Sequence, residues 1–393
     1  MSKTSLTKIA KPEPARLVPL LLDWFAANAR DLPWRRTRDP YAVWVSEIML
    51  QQTQVKTVIP FWERWMRELP DIEAVAKAPS DKIHKLWEGL GYYTRVRNLQ
   101  RAAQVIVNSG KQKAESRNAE RQFPENFDEV LALPGIGRYT AGAICSIAFN
   151  QPAPIVDGNV IRVLTRIFGI AENPKEKTTN ARLWQLAEEL VTHASQITRP
   201  AIKSRARTKD ENCSQLNQSL MELGALVCTP RRPQCLACPV KKFCVACKAG
   251  RTEELPNLGK RETATARRFL AFAIERTGKF LVRQRPVGVV NAHLWEFPNV
   301  EVGTATADPQ EIVAELDALR LADLRTEKLA PLCTVKHSIT RYRLTLEAFV
   351  VSLKPSPAPV DGVWKTLAQL ERLAFTSAHG KVRHALRRRS GAT

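Results

Sequence analysis

Two carboxylates lie in surroundings that suit them to opposite parts of acid–base chemistry. Glu47 stands in an apolar stretch, 41–53, where desolvation would raise its pKa and keep it protonated as a general acid. An ion pair with Arg35 or Arg36 is the alternative. Asp157 follows a proline-containing loop and precedes an apolar-periodic segment, so it either caps a helix or stays ionised at the helix terminus. An ionised carboxylate is what a cationic transition state needs, so the two acids form a candidate catalytic pair.

A short segment near the middle of the chain is rich in cysteine. Four cysteines follow the spacing C-x6-C-x2-C-x5-C: Cys228, Cys235, Cys238 and Cys244. Four thiolates so spaced can close around an iron–sulfur cluster or a zinc ion. Unligated thiols are the alternative, but closely spaced cysteines rarely serve packing alone. Cys247 complicates the pattern because it forms a further C-x2-C pair with Cys244. The spacing predicts a compact metal centre and leaves its metal open.

A glycine-containing turn between two predicted helices offers another kind of site. Residues 127–133 have a helical pattern, Pro-Gly-Ile-Gly follows, and a further helix begins at Arg138, so that the hairpin spans 127–149. Gly135 and Gly137 permit a tight turn whose backbone N–H groups open onto a helix N-terminus, which binds phosphate without reading base sequence. A helical hairpin without a ligand is the alternative. The charge of the chain favours contact with DNA.

The composition fits a globular protein with a polyanionic partner. The 393 residues carry 60 Lys and Arg against 39 Asp and Glu, a net charge of +21, and 44% are hydrophobic. This balance favours nucleic acid as the partner, with a ribosome-associated or merely soluble basic protein as the alternative. The longest uncharged run, 139–156, is broken by prolines, and the first eight residues lack the apolar core of a secretory signal. We therefore predict a cytoplasmic protein, nucleoid-associated if bacterial, with reduced thiols.

The periodicity of the chain changes along its length and predicts a multidomain protein. Apolar residues recur at helical spacing from residue 16 onward, whereas strand-like runs begin near residue 267. The predicted parts are a disordered tail over 1–15, an all-α domain over 16–247, a linker over 248–266, an α+β domain over 267–385 and a basic tail over 386–393.

Taken together, these stretches resemble the endonuclease III superfamily of helix–hairpin–helix DNA glycosylases, and within it the A/G-specific adenine (MutY) branch. The similarity covers about 16–247 and is carried by Trp-Val-Ser-Glu-Ile-Met-Leu-Gln-Gln-Thr-Gln-Val at 44–55, the hairpin motif, Val-Asp-Gly-Asn-Val at 156–160 and the cysteine spacing. The family implies an all-α glycosylase domain whose loop 228–244 holds a [4Fe–4S] cluster through the four cysteines, with Cys247 as a bystander. We expect a monomer that binds double-stranded DNA.

One position in the hairpin distinguishes the subclasses of this family. Bifunctional members carry a lysine there that attacks the sugar as a Schiff-base nucleophile, and this chain has Tyr139 instead. The resemblance therefore implies a monofunctional hydrolase of N-glycosyl bonds that starts base excision repair by removing adenine mispaired with 8-oxoguanine or guanine. The alternatives are an endonuclease III-like pyrimidine glycosylase/lyase, against which Tyr139 argues, and a non-catalytic iron–sulfur DNA-binding protein. Glu47 and Asp157 argue against the latter.

The resemblance also assigns roles around a flipped-out adenine. Glu47 would protonate adenine N7, and Asp157 would stabilise the oxocarbenium ion or trap it as an adduct. Asn159 would orient Asp157, and Tyr139 would steady the same site by hydrogen bonding. The residues expected around the adenine are Arg30, Trp34, Arg35 and Gln218. Those expected to fill the gap in the duplex are Gln52, Thr53, Leu90 and Tyr92, although Leu90 and Tyr92 taken alone would more often be core residues.

The predicted α+β domain resembles the MutT-like (Nudix-fold) recognition domain of the same family. Leu-Trp-Glu-Phe-Pro at 294–298 matches its start, and the sequence over 302–319 lacks the clustered acidic residues of the pyrophosphatase signature. The resemblance implies recognition of 8-oxoguanine without hydrolysis. The family's Phe-Ser-His element would fall at 335–337, where only His337 matches, and Ser338 or Lys336 would take the place of the serine.

Overall fold

The computed structural model describes residues 12–113, 123–198, 211–259, 263–303, 326–339, 341–353 and 361–390. The chain divides into two compact units, one formed by Met1–Lys77 with Asn98–Arg261 and the other by Ala78–Arg97 with Glu262–Thr393. Most of the predicted N-terminal tail (1–11), the last residues of the predicted basic tail (391–393) and most of the stretch compared with the pyrophosphatase signature (304–319) lie outside the described residues.

Helices build the first unit. In chain order, the helices up to residue 248 are α1 (Pro14–Asn28), α2 (Pro40–Leu50), α3 (Val55–Glu68), α4 (Ile72–Lys77), α5 (Ser80–Trp87), α6 (Thr94–Lys113), α7 (Phe127–Leu131), α8 (Arg138–Phe149), α9 (Gly158–Phe168), α10 (Lys177–Gln196), α11 (Asn212–Leu226) and α12 (Val245–Lys248). Of these, α5 belongs to the second unit and α6 begins in it. The helical first unit agrees with the predicted all-α domain.

The core of the first unit joins α1, α9, α10 and α11. Each contributes an apolar stripe, represented by Leu17, Val163, Leu190 and Leu220, all fully buried. Each such side chain stabilises the fold by about 1.5–3 kcal/mol. Helix α2 is buried on nearly every side, so Glu47 near its end also lies inside the protein. The helices that carry the polar residues of the site are therefore held by close packing.

A twisted sheet dominates the second unit. Within the described residues its strands are β1 (Thr265–Arg276), β2 (Lys279–Gln284), β3 (Trp295–Glu296), β4 (Asn299–Val302), β5 (Thr326–Ile339), β6 (Tyr342–Leu353) and β7 (Val363–Thr366). The order is β3-β2-β1-β6-β5, with β4 on β1 and β7 on β2; β1 and β6 run parallel and the other pairs antiparallel. Helices α13 (Leu367–Arg372) and α14 (Ser377–Ser390) follow, completing the predicted α+β class.

The segment Ala78–Arg97 folds with the second unit although it lies inside the predicted helical domain. Glu88 Oε1 accepts hydrogen bonds from the Phe375 backbone N–H at 3.1 Å and from Arg383 Nη1 at 3.2 Å. Lys85 Nζ donates to the carbonyl of Leu373 at 3.0 Å. The sequence pattern of α5 indicates only a helix, because the residues that hold it lie almost 300 positions further along the chain.

Two predicted segment boundaries differ from the structure. Within the predicted linker, Leu255 is only 2% exposed and its carbonyl accepts a hydrogen bond from Arg166 Nε at 2.9 Å, so this part packs on the first unit. The predicted basic tail is helical over residues 386–390, because α14 continues to Ser390 and buries Leu386 in the core of the second unit. Among the described helices, none combines the length and apolar character needed to cross a bilayer.

Candidate active site

A cavity of about 650 Å³ opens in the first unit, a volume typical of small-molecule sites. It is enclosed by the end of α2, the hairpin between α7 and α8, the start of α9 and one face of α11. The structure brings together in its lining the following residues singled out from the sequence: Arg30, Trp34, Arg35, Glu47, Gln52, Thr53, Gly135, Gly137, Tyr139, Asp157, Asn159 and Gln218.

Glu47 holds a carboxyl group that is removed from water. The residue is 5% exposed, and Tyr139 Oη donates a hydrogen bond to its Oε2 at 2.6 Å. Burial raises the pKa of Glu47 to about 7 and the charge of Asp157 adds to the rise, while the Tyr139 hydroxyl and the charge of Arg35 oppose it. The ion pair considered as an alternative does not form, because Arg35 binds Glu222 and Arg36 binds Asp31. Glu47 can therefore carry a proton near neutral pH.

Tyr139 occupies the first turn of α8, directly after the hairpin. Gly137 precedes the helix as its N-cap, so residue 139 projects from the helix start toward α2. The hydroxyl hydrogen-bonds Glu47 and also lies 3.3 Å from Met221 Sδ of α11. Burial and the nearby carboxylates of Glu47 and Asp157 raise the pKa of Tyr139 well above its usual value. The phenol is thus a fixed neutral donor.

Asp157 is the N-cap of α9. Its Oδ1 accepts a hydrogen bond from the Val160 backbone N–H at 2.7 Å, and its Oδ2 accepts one from Asn159 Nδ2 at 3.0 Å. Asp157 therefore caps α9 and lines the cavity at the same time. Burial raises the pKa of Asp157, and the hydrogen bonds and the charge of Arg162 only partly counter it. The sequence predicts instead that Asp157 stays ionised, because the helix dipole at the start of α9 favours the charged carboxylate. The sequence does not show how deeply Asp157 is buried, and burial is the largest cause of the rise in its pKa.

Asn159 is itself oriented by a buried arginine. Arg162 Nη2 donates to Asn159 Oδ1 at 2.8 Å, which fixes the side-chain amide so that its nitrogen faces Asp157. Arg162 also donates through Nε to the carbonyl of Cys228 at 2.7 Å and through Nη2 to that of Gly224. A methyl group at Gly224 would meet Asn159 Cβ at 2.7 Å. The carboxylate and the start of the cysteine loop therefore share one network of fixed contacts.

Glu222 is a site residue that the sequence prediction missed. It is 1% exposed and accepts hydrogen bonds from the Arg30 backbone N–H, Arg30 Nε and Nη2, and Arg35 Nη1 and Nη2, at 2.7–3.1 Å. Burial alone would raise the pKa of Glu222, but the two guanidinium groups outweigh it and lower the pKa to about 2. The sequence feature that could have identified Glu222 is an acidic residue within the apolar run of α11. Glu222 fixes both arginines at the cavity edge.

The hairpin turn depends on a left-handed glycine. Gly135 has φ +77°, and a Cβ at this position would lie 2.4 Å from Asn98 Cβ. Gly137 instead has φ −101°, and no atom lies within 4 Å of the place where its Cβ would be. The turn leads directly into the N-terminus of α8, as the phosphate-binding interpretation requires.

The remaining predicted contacts lie in the second unit. Leu90 is 5% exposed, whereas Tyr92 is 40% exposed with φ +49°. On β5 the side chain of Val335 is buried. Lys336 and Ser338 are exposed and His337 is half-buried, with its pKa lowered by burial and by Lys381. Alternation along the strand thus places Lys336 and Ser338 on one face and His337 on the other.

All four predicted metal ligands and Cys247 line one small cavity between α9 and the loop after α11. Arg166 Nη1 donates to Cys228 Sγ at 3.3 Å, and the Arg166 carbonyl accepts from Cys244 Sγ at 3.3 Å. Burial and neighbouring sulfurs raise the pKa of Cys238 to about 11 and that of Cys244 to about 12. Buried thiols ionise together only beside added positive charge, which a metal centre supplies, so this donor set fits such a group.

In the part of the chain that the structure describes, no three His, Cys, Asp or Glu side chains meet closely enough to enclose a single metal ion. Cys247, which the resemblance predicts to be a bystander, lies beside the four predicted ligands. Its sulfur lies in the same cavity as the other four.

Two family models match separate parts of this chain. Residues 45–189 match the HhH-GPD superfamily of base excision DNA repair proteins, and residues 270–385 match the NUDIX domain, which confirms the predicted fold class. The adenine DNA glycosylases of Rattus norvegicus and Homo sapiens are each 34% identical to this chain, covering 92% of it and 76% and 72% of their own lengths. The structure of a thermostable thymine-DNA glycosylase, 30% identical, aligns with 60% of this chain and 96% of its own at a TM-score of 0.49. The chain belongs to the adenine DNA glycosylase family.

Proposed function

We propose that this protein is a monofunctional DNA glycosylase that hydrolyses the N-glycosyl bond of adenine mispaired with 8-oxoguanine or guanine, the first step of base excision repair. The observation that carries the proposal is the meeting of Glu47, Tyr139 and Asp157 in one cavity of the first unit. Cleavage through a cationic sugar requires a general acid and a carboxylate that stabilises positive charge. Buried Glu47, hydrogen-bonded by neutral Tyr139, suits the first role, and Asp157 at the start of α9 suits the second.

Glu47 is the general acid of the proposed reaction. Its pKa of about 7 leaves it partly protonated at neutral pH, and Tyr139 holds the carboxyl group in a single orientation. Proton transfer from Glu47 to adenine N7 makes the base a neutral leaving group. The bond between N9 and C1′ then breaks and its electron pair passes to the adenine ring.

Asp157 faces the positive charge that develops on the sugar. Its carboxylate is held by the Val160 N–H and by Asn159, so it does not need to reorganise when the oxocarbenium ion forms. Stabilisation of the ion, or its brief capture as an ester, are the two available roles. Water then adds to C1′ and loses its proton to the Glu47 carboxylate, which restores the acid.

The cavity also supports cleavage of the base without cleavage of the strand. In the described part of the chain no lysine lines the cavity, and the position of the lyase lysine holds the Tyr139 phenol. A phenol has no amine nitrogen and therefore cannot form a Schiff base with C1′. The product is therefore an abasic site with an intact backbone.

DNA contacts complete the proposal. The Gly135–Gly137 turn and the start of α8 suit a backbone phosphate. Gln52 and Thr53 line the cavity, and the family resemblance assigns them, with Leu90 and Tyr92, to the gap left by the flipped adenine. Gln52 and Tyr92 both have positive φ, a backbone conformation that is uncommon for residues other than glycine. In the second unit, the 8-oxoguanine would be met by one face of β5, either the face of His337 or the opposite face, which carries Lys336 and Ser338. The arginines fixed by Glu222, together with Trp34 and Gln218, would surround the adenine.

Cys228, Cys235, Cys238 and Cys244 would hold a [4Fe–4S] cluster, the cofactor that the family resemblance implies. Such a cluster cross-links the loop that carries it and can exchange one electron. The chain's own contribution is the placement of Arg166 and Arg162, which bind sulfur and carbonyl groups at the start of this loop.

The test is single-turnover base release from duplexes with adenine opposite 8-oxoguanine, guanine or thymine, each sample divided into portions with and without alkali. We expect adenine release opposite 8-oxoguanine and strand breaks only after alkali. Glu47→Gln is the matched control, since it keeps the volume and the contact to Tyr139 but lacks the acidic proton. Breaks without alkali would contradict the monofunctional assignment, and release undiminished in Glu47→Gln would contradict the role of Glu47.

A further inference from the structure

The cysteine cavity contains one more thiol than a four-ligand centre uses. Five sulfurs line it, and the additional one belongs to Cys247 on the short helix α12. The spacing rule that predicts the four ligands leaves Cys247 out, because it lies beyond the last of them. Its role therefore depends on where its sulfur lies.

Cys247 touches two of the predicted ligands. Its side chain is hydrogen-bonded to that of Cys235, and its backbone N–H donates to the sulfur of Cys244. Cys244 is the N-cap of α12, so the helix itself fixes the distance between residues 244 and 247. Cys235 begins a 3-10 turn across the cavity. The thiols of Cys235 and Cys247 therefore lie next to each other in the cavity.

We infer that Cys247 is a reserve ligand, able to replace Cys235 in holding the iron–sulfur cluster. The inference rests on the proposed cluster. The two thiols are already in contact and both residues line the cavity, so the replacement exchanges neighbouring groups. It also balances chemically: the Cys247 thiol releases one proton and binds iron as a thiolate, and the departing Cys235 thiolate takes up one proton.

Cys238 provides the matched comparison. It is also a predicted ligand lining the cavity, but its sulfur accepts a hydrogen bond from the Val240 backbone N–H instead of pairing with a second thiol. The reserve ligand should therefore compensate for loss of Cys235 and should fail to compensate for loss of Cys238.

The test uses the full-length protein purified without oxygen, as wild type and as the variants Cys235→Ala, Cys247→Ala, Cys238→Ala and Cys235→Ala/Cys247→Ala. Iron and acid-labile sulfide per chain are measured with the visible absorbance. We expect each single change at 235 or 247 to keep at least about half of the wild-type iron, and the double variant and Cys238→Ala to keep less than about a tenth.

Alkylation of the native proteins provides a second readout. Iodoacetamide followed by mass spectrometry should modify Cys247 more slowly in Cys235→Ala than in wild type, because the sulfur is then bound to iron. The inference is overturned if Cys235→Ala is as iron-free or as insoluble as the double variant, or if Cys247 reacts at the wild-type rate while iron remains. A wild-type protein without iron and sulfide would instead refute the proposed cluster.

Discussion

In the proposed mechanism, the hydroxyl of Tyr139 influences the pH at which Glu47 loses its proton. Tyr139→Phe keeps the buried ring and removes only the hydrogen bond to Glu47 Oε2. That bond favours the ionised carboxylate and so opposes the rise in the pKa of Glu47 to about 7. Its removal must raise the pKa further. Because base release needs the protonated acid, the rate falls as pH rises through this pKa, and we expect the fall to occur at higher pH in the variant.

The size of the effect follows from the strength of the bond. A hydrogen bond to a charged group contributes about 1.5–3 kcal/mol, and about 1.4 kcal/mol corresponds to one pH unit. Complete loss would therefore move the alkaline midpoint by about one to two pH units. A water molecule in the space of the hydroxyl would recover part of this, so we expect about one pH unit. We expect Tyr139→Phe to release adenine more slowly than wild type at its optimal pH. At alkaline pH it should retain a larger fraction of its own optimal rate than wild type does.

The assay is single-turnover adenine release from about pH 5 to about pH 9, fitted for its alkaline midpoint. Met221→Leu is the matched control. Met221 Sδ lies 3.3 Å from the same hydroxyl, so its replacement alters the surroundings of Tyr139 while leaving the bond to Glu47 in place. Its midpoint should stay at the wild-type value. A midpoint in Tyr139→Phe that is unchanged, or lower than in wild type, would refute the assignment of the titrating proton to Glu47.

Three further changes test the framework of the cavity. Glu222→Gln leaves two guanidinium groups without their buried counter-charge and should lower the free energy of unfolding in urea by about 3 kcal/mol. Gly135→Ala, strained at φ +77°, should lower it by more than about 1 kcal/mol and weaken duplex binding in a salt titration, whereas Gly137→Ala should stay within about 0.5 kcal/mol. Asp157→Asn should slow single-turnover release by at least about a hundredfold; its amide oxygen still caps α9, and only the hydrogen bond from Asn159 is lost.

Each of these three predictions would be contradicted by a specific experimental result. A free energy of unfolding equal to that of wild type in Glu222→Gln would mean that water hydrogen-bonds the guanidinium groups of Arg30 and Arg35 in place of the carboxylate. Equal effects at 135 and 137 would show that the turn does not depend on a left-handed residue. Asp157→Ala serves as the capping control and should lose about 1 kcal/mol of stability in addition to activity. Wild-type rates in Asp157→Asn would exclude a role for its charge.

The parts of the site that could be predicted from sequence lie beside local signals. Glu47 stands in an apolar run and Asp157 at the start of an amphipathic helix, so a few neighbouring residues suffice to describe their surroundings. The change from helical to strand periodicity near residue 267 likewise indicates the two fold classes. The cysteine spacing predicted four of the five sulfurs that line one cavity.

The parts that could not be predicted depend on contacts between distant residues. Glu222 meets Arg30 across 192 positions, and no local pattern connects them. The direction of the pKa shift of Asp157 depends on how deeply the packed helices bury it, which the helix start alone does not reveal. Cys247 falls outside the four-ligand spacing, and only the turn of α12 brings its sulfur to Cys235.

The division of the chain has a practical consequence for anyone dissecting this protein. The second unit consists of two separate stretches of sequence, so no single cut yields a fragment that contains all of one unit and none of the other. A catalytic fragment ending near residue 261 would retain α5 but lose the Leu373 carbonyl, the Phe375 N–H and the Arg383 guanidinium that bind Lys85 and Glu88. It would also remove the Phe375 carbonyl that accepts a hydrogen bond from the buried Tyr93 hydroxyl. Weak activity in such a truncation would therefore report damage to the fragment itself, as well as the absence of the rest of the second unit.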